Sequence, residues 1–230
     1  MNRKHFAIKD FCSNEEIQSI LMYYENLDHS KEYSSDKALR KNMHYHNPDL
    51  QFLKDIIEPK LQSYFPNSIM SAGTFTNWIG EVELHTDSWQ PGEDRSKKLG
   101  YAVLVPLQIK PEAIQTSTIV FDQFCELNET VSEKNITKDV KWNIAKYISK
   151  DFFENKILGK TKESLDKEFY KEFLSHIDYN YIENFASPTR YIWKVGDAIV
   201  WDRTLFHTGE KFSNSLNSKL HMIFLINFHS

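Results

Sequence analysis

Three residues of this 230-residue chain are of the types that hold a divalent metal: His85 and Asp87 in a His-Thr-Asp triplet, and His207 far downstream. Two imidazoles and one carboxylate on one face of an ion leave positions open, and open positions are what oxygen activation requires. Lys219 follows His207 by twelve residues. A positive charge beside the metal suits the far carboxylate of a dicarboxylic acid whose other end chelates the ion. The three ligands alone do not choose the metal, since zinc, manganese and nickel take the same side chains as iron.

Strands must position these residues. From Ser71 onward the chain turns to short runs rich in Thr, Val, Ile, Phe and Trp, separated by polar turns. Ile79, Glu81, Glu83, His85 and Asp87 share a parity, so an unbroken strand through them would point both ligands the same way. Tyr101–Leu107 and Thr118–Asp122 read as buried strands. Tyr191–Lys194, the turn Val195-Gly196-Asp197, and Ala198–Asp202 lead to His207. In the final strand, Lys219–Phe228, alternation makes Lys219 and His221 point together. The tryptophans Trp78, Trp193 and Trp201 read as core filling.

Two helices are expected ahead of the strands. Ser13 and Glu16 have capping-box spacing, and Ile17, Ile20, Leu21 and Tyr24 form one apolar face; the preceding N-terminus is expected to run straight into this helix. A second helix from near Pro48 should turn Leu50, Leu53, Ile57, Leu61 and Tyr64 inward, with a kink or break before Pro59. Residues 28–47 between them are polar, and His44 and His46 there read as surface or substrate contacts rather than a second metal site. Residues 123–188 are rich in Lys, Glu and Asn, with helical spacing at Leu165, Phe169, Phe173, Leu174 and Ile177, and read as an insertion that is either a lid or a cap. The whole, residues 1–230, is expected to be a single domain, with helices in 1–70 and core strands in 71–122 and 189–230.

Composition narrows the function classes. With 28 basic and 32 acidic side chains the net charge is −4, which disfavours a nucleic-acid partner held through phosphates. No apolar run reaches the ~20 residues that span a bilayer. Two distant cysteines, Cys12 and Cys125, and an N-terminus without a signal-peptide pattern point to the cytoplasm.

The order His-x-Asp, a long interval, a second His and then a basic residue resembles the iron(II)- and 2-oxoglutarate-dependent dioxygenases of the prolyl-hydroxylase-like and phytanoyl-hydroxylase-like kinds. The most specific stretch is Gly196-Asp197, an apolar strand, and His207-Thr208-Gly209. One departure is Gln115-Thr116-Ser117, where the family commonly has a glycine pair. The resemblance implies a mainly β fold with flanking helices, a double-stranded β-helix or cupin-like jelly roll. It implies that His85, Asp87 and His207 bind iron(II) and are catalytic, that 2-oxoglutarate pairs with Lys219, and that dioxygen is consumed, with ascorbate an optional reductant. Further cosubstrate candidates are His221, Tyr101 and Asn77; substrate candidates are Trp89, Arg95 and Arg203. The implied reaction hydroxylates a C–H bond of a small molecule or peptidyl side chain, releasing succinate and carbon dioxide. Asp87 argues against a halogenase, which has a small residue there. The competing classes are a metal-binding cupin-type isomerase or hydrolase, which has no use for Lys219, and a non-enzymatic jelly-roll binding module. Neither oligomeric state nor substrate identity can be read from the residues.

Overall fold

Alternation along the last strand sets the layers of the molecule. The computed structural model describes residues 4–27, 32–34, 38–43, 51–87, 94, 96–125, 130–132, 145–147, 157–185 and 188–229. In β12 (Ser218–Phe228), Leu220, Met222, Phe224 and Ile226 face one way and pack with Val103, Val105 and Leu107 of β5 (Lys98–Lys110). Two helices cover that face: α1 (Asn14–Asn26) and α2 (Gln51–Tyr64) contribute Ile17, Ile20, Leu53, Ile57 and Leu61. On the opposite face Ile223 and Leu225 enter a second core with Ala102, Leu104, Ile199 and Trp201.

The sheet carrying these strands has seven members in the order β1-β10-β5-β12-β4-β3-β2, antiparallel throughout. Its other strands are β1 (His5–Ile8), β2 (Glu32–Ser34), β3 (Ala38–Met43), β4 (Ser68–Trp78) and β10 (Ala198–Asp202). A three-stranded sheet, β11-β6-β9, lies across the second core from it. It consists of β6 (Ser117–Phe124), β9 (Thr189–Ile192) and β11 (Leu205–Gly209). Val120 and Leu205 face inward, while Ile119, Phe121 and Phe206 face outward. Two apposed antiparallel sheets with helices on the outside make a jelly roll.

The outward face of the smaller sheet is covered by the insertion. Leu165, Leu174, Ile177, Ile182 and Phe185 pack there, from α3 (Lys167–Phe169, continuing as a π-helical turn Tyr170–Leu174), α4 (Tyr179–Ile182) and their flanks. Earlier in the insertion, β7 (Thr130–Ser132) and β8 (Ala145–Tyr147) form a parallel pair.

Several expectations hold and several are corrected. The Ser13–Glu16 capping box forms in both directions. The N-terminus, however, first makes strand β1, which pairs with β10 and completes that edge of the sheet before α1 begins. The polar stretch between the helices carries β2 and β3 of the same sheet, so the sheet does not begin at Ser71 as expected, and the strand there, β4, begins at Ser68. Helix α2 runs through Pro59 unbroken, because Ile57 and Leu61 on either side of it are both buried against the sheet. Tyr64, expected inside, is 51% exposed at the end of that helix. Strand β4 stops at Trp78, so the shared parity of residues 79–87 is not that of one strand. Leu50, His44 and His46 lie outside the described residues.

The turn between β9 and β10 requires its glycine. Gly196 has φ +88°, and a Cβ there would sit 2.7 Å from the Cys12 carbonyl oxygen. The close approach comes from the Cys12 amide, which donates to Gly196 O at 2.8 Å and ties the N-terminal segment to the turn. Gly196→Ala is expected to destabilise the fold by about 1–3 kcal/mol, seen as a lower urea midpoint at unchanged slope.

Candidate metal centre

The β10–β11 corner and the segment after β4 meet at His85 and His207. Their main chains bond reciprocally: the His85 amide donates to His207 O at 3.0 Å, and the His207 amide to His85 O at 2.9 Å. This isolated bridge sets the imidazole centroids 4.2 Å apart. Each ring is turned by its own chain. Nδ1 of His85 lies 2.8 Å from Glu83 O, and Nδ1 of His207 lies 3.2 Å from Leu205 O. A carbonyl only accepts, so Nδ1 carries the proton in both rings and Nε2 keeps its lone pair for a metal.

Asp87 completes the cluster. One potential ligand atom from each of His85, Asp87 and His207 lies within 4.8 Å of the others. His207 Nε2 is 3.3 Å from Asp87 Oδ2, and His85 Nε2 is 3.9 Å from Oδ1. Burial pushes the His207 imidazole down to about pKa 4, with His85 adding to the effect and Asp87 opposing it. The ring is therefore neutral near pH 7, the state in which imidazole ligates.

Lys219 enters the same interior from the middle of the large sheet. It is 1% exposed, and its Nζ donates to Thr116 Oγ1 at 3.2 Å. Two aromatic rings also border it, Trp193 at 5.1 Å and Phe212 at 5.9 Å from Nζ. No carboxylate among the described residues pairs with it. The nearby Glu210 is engaged by Arg190, Nη2 at 2.8 Å and Nε at 2.9 Å, and by the Ser117 hydroxyl at 2.5 Å. Burial pulls the Lys219 ammonium down to about pKa 8, partly opposed by Glu210. A cation so placed has no paired anion among the described residues, and a ligand carboxylate would supply one.

At the level of sequence, no protein-family model matches this chain and no curated protein is significantly similar to it. Solved structures are similar over nearly its whole length. One is HygX from Streptomyces hygroscopicus with nickel and 2-oxoglutarate bound, at TM-score 0.56 and 13% identity, covering 99% of this chain and 84% of HygX. Another is the non-haem α-ketoglutarate-dependent epimerase SnoN from nogalamycin biosynthesis, at TM-score 0.56 and 9% identity, covering 99% and 79%. A third is an oxidoreductase of the 2OG-Fe(II) oxygenase family from Burkholderia pseudomallei, at TM-score 0.51 and 7% identity, covering 98% and 84%. The chain has the fold of the iron(II)- and 2-oxoglutarate-dependent oxygenases.

Within this oxygenase fold the predicted residues separate into two groups. His85, Asp87, His207, Lys219 and His221 face the barrel interior; His221 stacks edge-on against Trp193 at 5.5 Å. Tyr101 and Asn77 do not join them. Asn77 is paired across β4–β12 with Leu220, which points into the helix-side core, whereas its neighbours Thr76 and Trp78 pair with His221 and Lys219. Asn77 has the same parity as His85, but β4 ends at Trp78, so that parity does not carry from one residue to the other. Tyr101 likewise faces the helices, its ring 5.2 Å from Phe65 and 6.1 Å from Phe228. Trp89 and Arg95 lie outside the described residues.

Arg203 is also corrected. Expected at a substrate or at the surface, it is fully buried, donating Nε to the Asp87 carbonyl at 2.8 Å and Nη1 to Asn227 Oδ1 at 2.8 Å. Its own carbonyl accepts from the Asp87 amide at 2.9 Å, so one residue holds both main-chain groups of Asp87. Three contributors were missed. Trp201, read as core, donates its indole N–H to Asp87 Oδ2 at 3.0 Å. Thr116 stands in the stretch that departs from the glycine pair, and that departure was the available signal. Gly209 leaves the space that Lys219 occupies, since a Cβ there would lie 2.9 Å from Nζ.

Lys219 gives a signed stability prediction. Its folded pKa lies below the unfolded value of 10.5, so unfolding takes up a proton between the two, and stability rises with pH from about 8 to 10.5. Lys219→Met is expected to stabilise the ligand-free protein by roughly 3 kcal/mol near pH 7, and to lack that alkaline rise. Denaturant melts of both proteins at pH 7 and pH 10 check this; equal stability at both pH values would show that Lys219 is not a strained cation.

Proposed function

We propose that this chain is a non-haem iron(II)- and 2-oxoglutarate-dependent oxygenase that hydroxylates a C–H bond of a small molecule. The observation that carries the proposal is a buried lysine without an acidic partner among the described residues, in the same barrel interior as a His-Asp-His cluster whose Nε2 atoms are free to ligate. A metal-binding isomerase or hydrolase of this fold has no need of that lysine.

The residues fit the absent groups chemically. Two imidazoles and one carboxylate suit iron(II) and leave positions for a chelating keto acid and dioxygen. Iron with 2-oxoglutarate and dioxygen would supply the oxidation, in which the keto acid loses carbon dioxide to give succinate holding one oxygen atom, and the other oxygen atom enters the C–H bond. The chain's own contribution is placement. Lys219 offers one compact charge to the far carboxylate, and because an ammonium lacks the fork of a guanidinium, the Thr116 hydroxyl and His221 are the further donors on hand. Trp193 and Phe212 keep water from that charge pair, which strengthens it.

Preference for a small-molecule substrate rests on the neighbours. Structures of HygX with nickel, 2-oxoglutarate and hygromycin B, and of SnoN with Fe3+, α-ketoglutarate and nogalamycin RO, resemble this chain at TM-scores of 0.55 and 0.56. SnoN is an α-ketoglutarate-dependent epimerase, so the outcome of the reaction on this fold is not fixed as hydroxylation. In this proposal residues 1–230 act as one oxygenase domain. Among the described residues no helix is long and apolar enough to cross a membrane, and we assign the activity to the cytoplasm.

Anaerobic addition of iron(II) and 2-oxoglutarate is expected to give the weak visible charge-transfer band of the chelate. Lys219→Ala should weaken 2-oxoglutarate binding about 10–100-fold, the size expected for loss of a charged hydrogen bond. Asp87→Ala should abolish the band with the fold intact. Iron binding without the band would shift the assignment to a non-oxygenase metal protein. With the band established, succinate release over a panel of oxygenated small molecules identifies the substrate class.

A further inference from the structure

Trp201 is fully buried, on the inward face of β10, and touches two of the three candidate ligands. Its indole N–H donates to Asp87 Oδ2 at 3.0 Å, and its ring lies against the His207 imidazole, centroids 4.5 Å apart and planes inclined by 41°. Asp87 Oδ1 has no hydrogen-bond donor among the described residues, its polar neighbour being His85 Nε2 at 3.9 Å. The two oxygens of one carboxylate are therefore unequal before any metal arrives.

This inequality matters because a carboxylate can ligate through one oxygen or two. An aspartate that swings to present both takes up one of the positions that a chelating acid and dioxygen need. The main chain of Asp87 is held by Arg203, but main-chain bonds leave the carboxylate free to rotate about Cβ–Cγ. Among the described residues the indole N–H is the one hydrogen-bond donor to that carboxylate, since the His207 Nε2 that lies 3.3 Å from the same Oδ2 carries no proton, and the indole ring is packed among Ala102, Ile199 and Leu205 and against His207. We propose that Trp201 is a positioning residue that restrains Asp87 to ligation through Oδ1 alone. The inference rests on the oxygenase assignment only in taking His85, Asp87 and His207 as the metal centre.

Trp201→Phe keeps an aromatic ring against His207 and removes the donor. With Mn(II) as the probe ion, water-proton relaxation per bound ion reports how many waters the ion carries. Trp201→Phe should bind Mn(II) about 10-fold more weakly, as losses of groups supporting a ligand do. Relaxation per bound ion should fall, because the second carboxylate oxygen displaces a water. Val200→Ala, on the same strand but facing the helices, is the packing control and should match the wild type.

If wild-type protein binds no Mn(II), the metal centre itself is refuted, and with it the oxygenase assignment. If it binds, three results overturn the role of Trp201 alone: unchanged affinity in Trp201→Phe, weaker affinity with unchanged relaxation per bound ion, or the same loss in Val200→Ala. Should Trp201→Phe fail to fold, wild-type protein with 15N-labelled indoles decides. One of the five tryptophan signals should exchange slowly with solvent and shift when Zn(II) is added. The absence of any such signal overturns the proposal.

Discussion

The candidate centre depends on one pair of backbone hydrogen bonds, between His85 and His207. The segment after β4 has left its own sheet and makes no strand there, so this short bridge to β11 is what brings ligands from the two halves of the chain together. The bond lengths of 3.0 and 2.9 Å are ordinary; their consequence is not. Antiparallel partners directly opposite each other project side chains to the same side, which is why the two imidazoles stand side by side across the bridge, their planes inclined by 55°. Asp87, two residues on, is then within reach of Arg203 at the start of the same corner, and the third ligand is fixed by the strand that carries the second.

Charge is distributed around this joint so that little of it is shared. Two interior acids are near the two interior cations, yet each is used locally. Glu210 is taken by Arg190 and Ser117, and the Asp87 main chain occupies Arg203, leaving Lys219 with a hydroxyl and aromatic faces. Full burial of a lysine against aromatic rings costs stability that only an incoming anion recovers. Gly209 belongs to the same arrangement, because the ammonium group fills the space that a side chain on β11 would occupy. The glycine two residues after His207 thus couples the spacing of the metal ligand to the depth at which the lysine sits.

Much of this was legible as spacing. The triad, the basic residue twelve positions beyond it, the capping box and the strand carrying Lys219 and His221 depend on local order and period, which a sequence displays directly. What escaped depends on register. Asn77 shares a parity with His85 that the end of β4 breaks, and Tyr101 lies on the strand adjacent to β12 but on its helix-side face, which adjacency alone does not reveal. Arg203 escaped for a different reason: a charged residue in a turn is ordinarily solvated, and the approach of the Asp87 main chain and Asn227, far away in sequence, helps make its burial tolerable. Trp201 is ambiguous in principle, since filling a core and orienting a carboxylate call for the same large aromatic side chain.

The insertion bears on the centre through this same corner. Its described part covers the outer face of the small sheet, with Leu174 and Ile177 packed beside Phe121 and Phe206, so its apolar residues serve the fold before any substrate is considered. Yet it also meets the strand that carries the second histidine. The Lys211 amide donates to Phe173 O at 2.7 Å, and the Arg190 guanidinium that holds Glu210 lies 4.2 Å above the Phe173 ring. His176 Nε2 is 3.4 Å from Thr208 Oγ1, which itself donates to Val82 O at 2.7 Å. Residues 208 to 211 are therefore clasped from outside by the insertion while Gly209 borders Lys219 from within. An insertion that covered only the mouth of the barrel would leave the surroundings of Lys219 indifferent to it; the described part of this one shares a wall with them, and the wall is one strand thick.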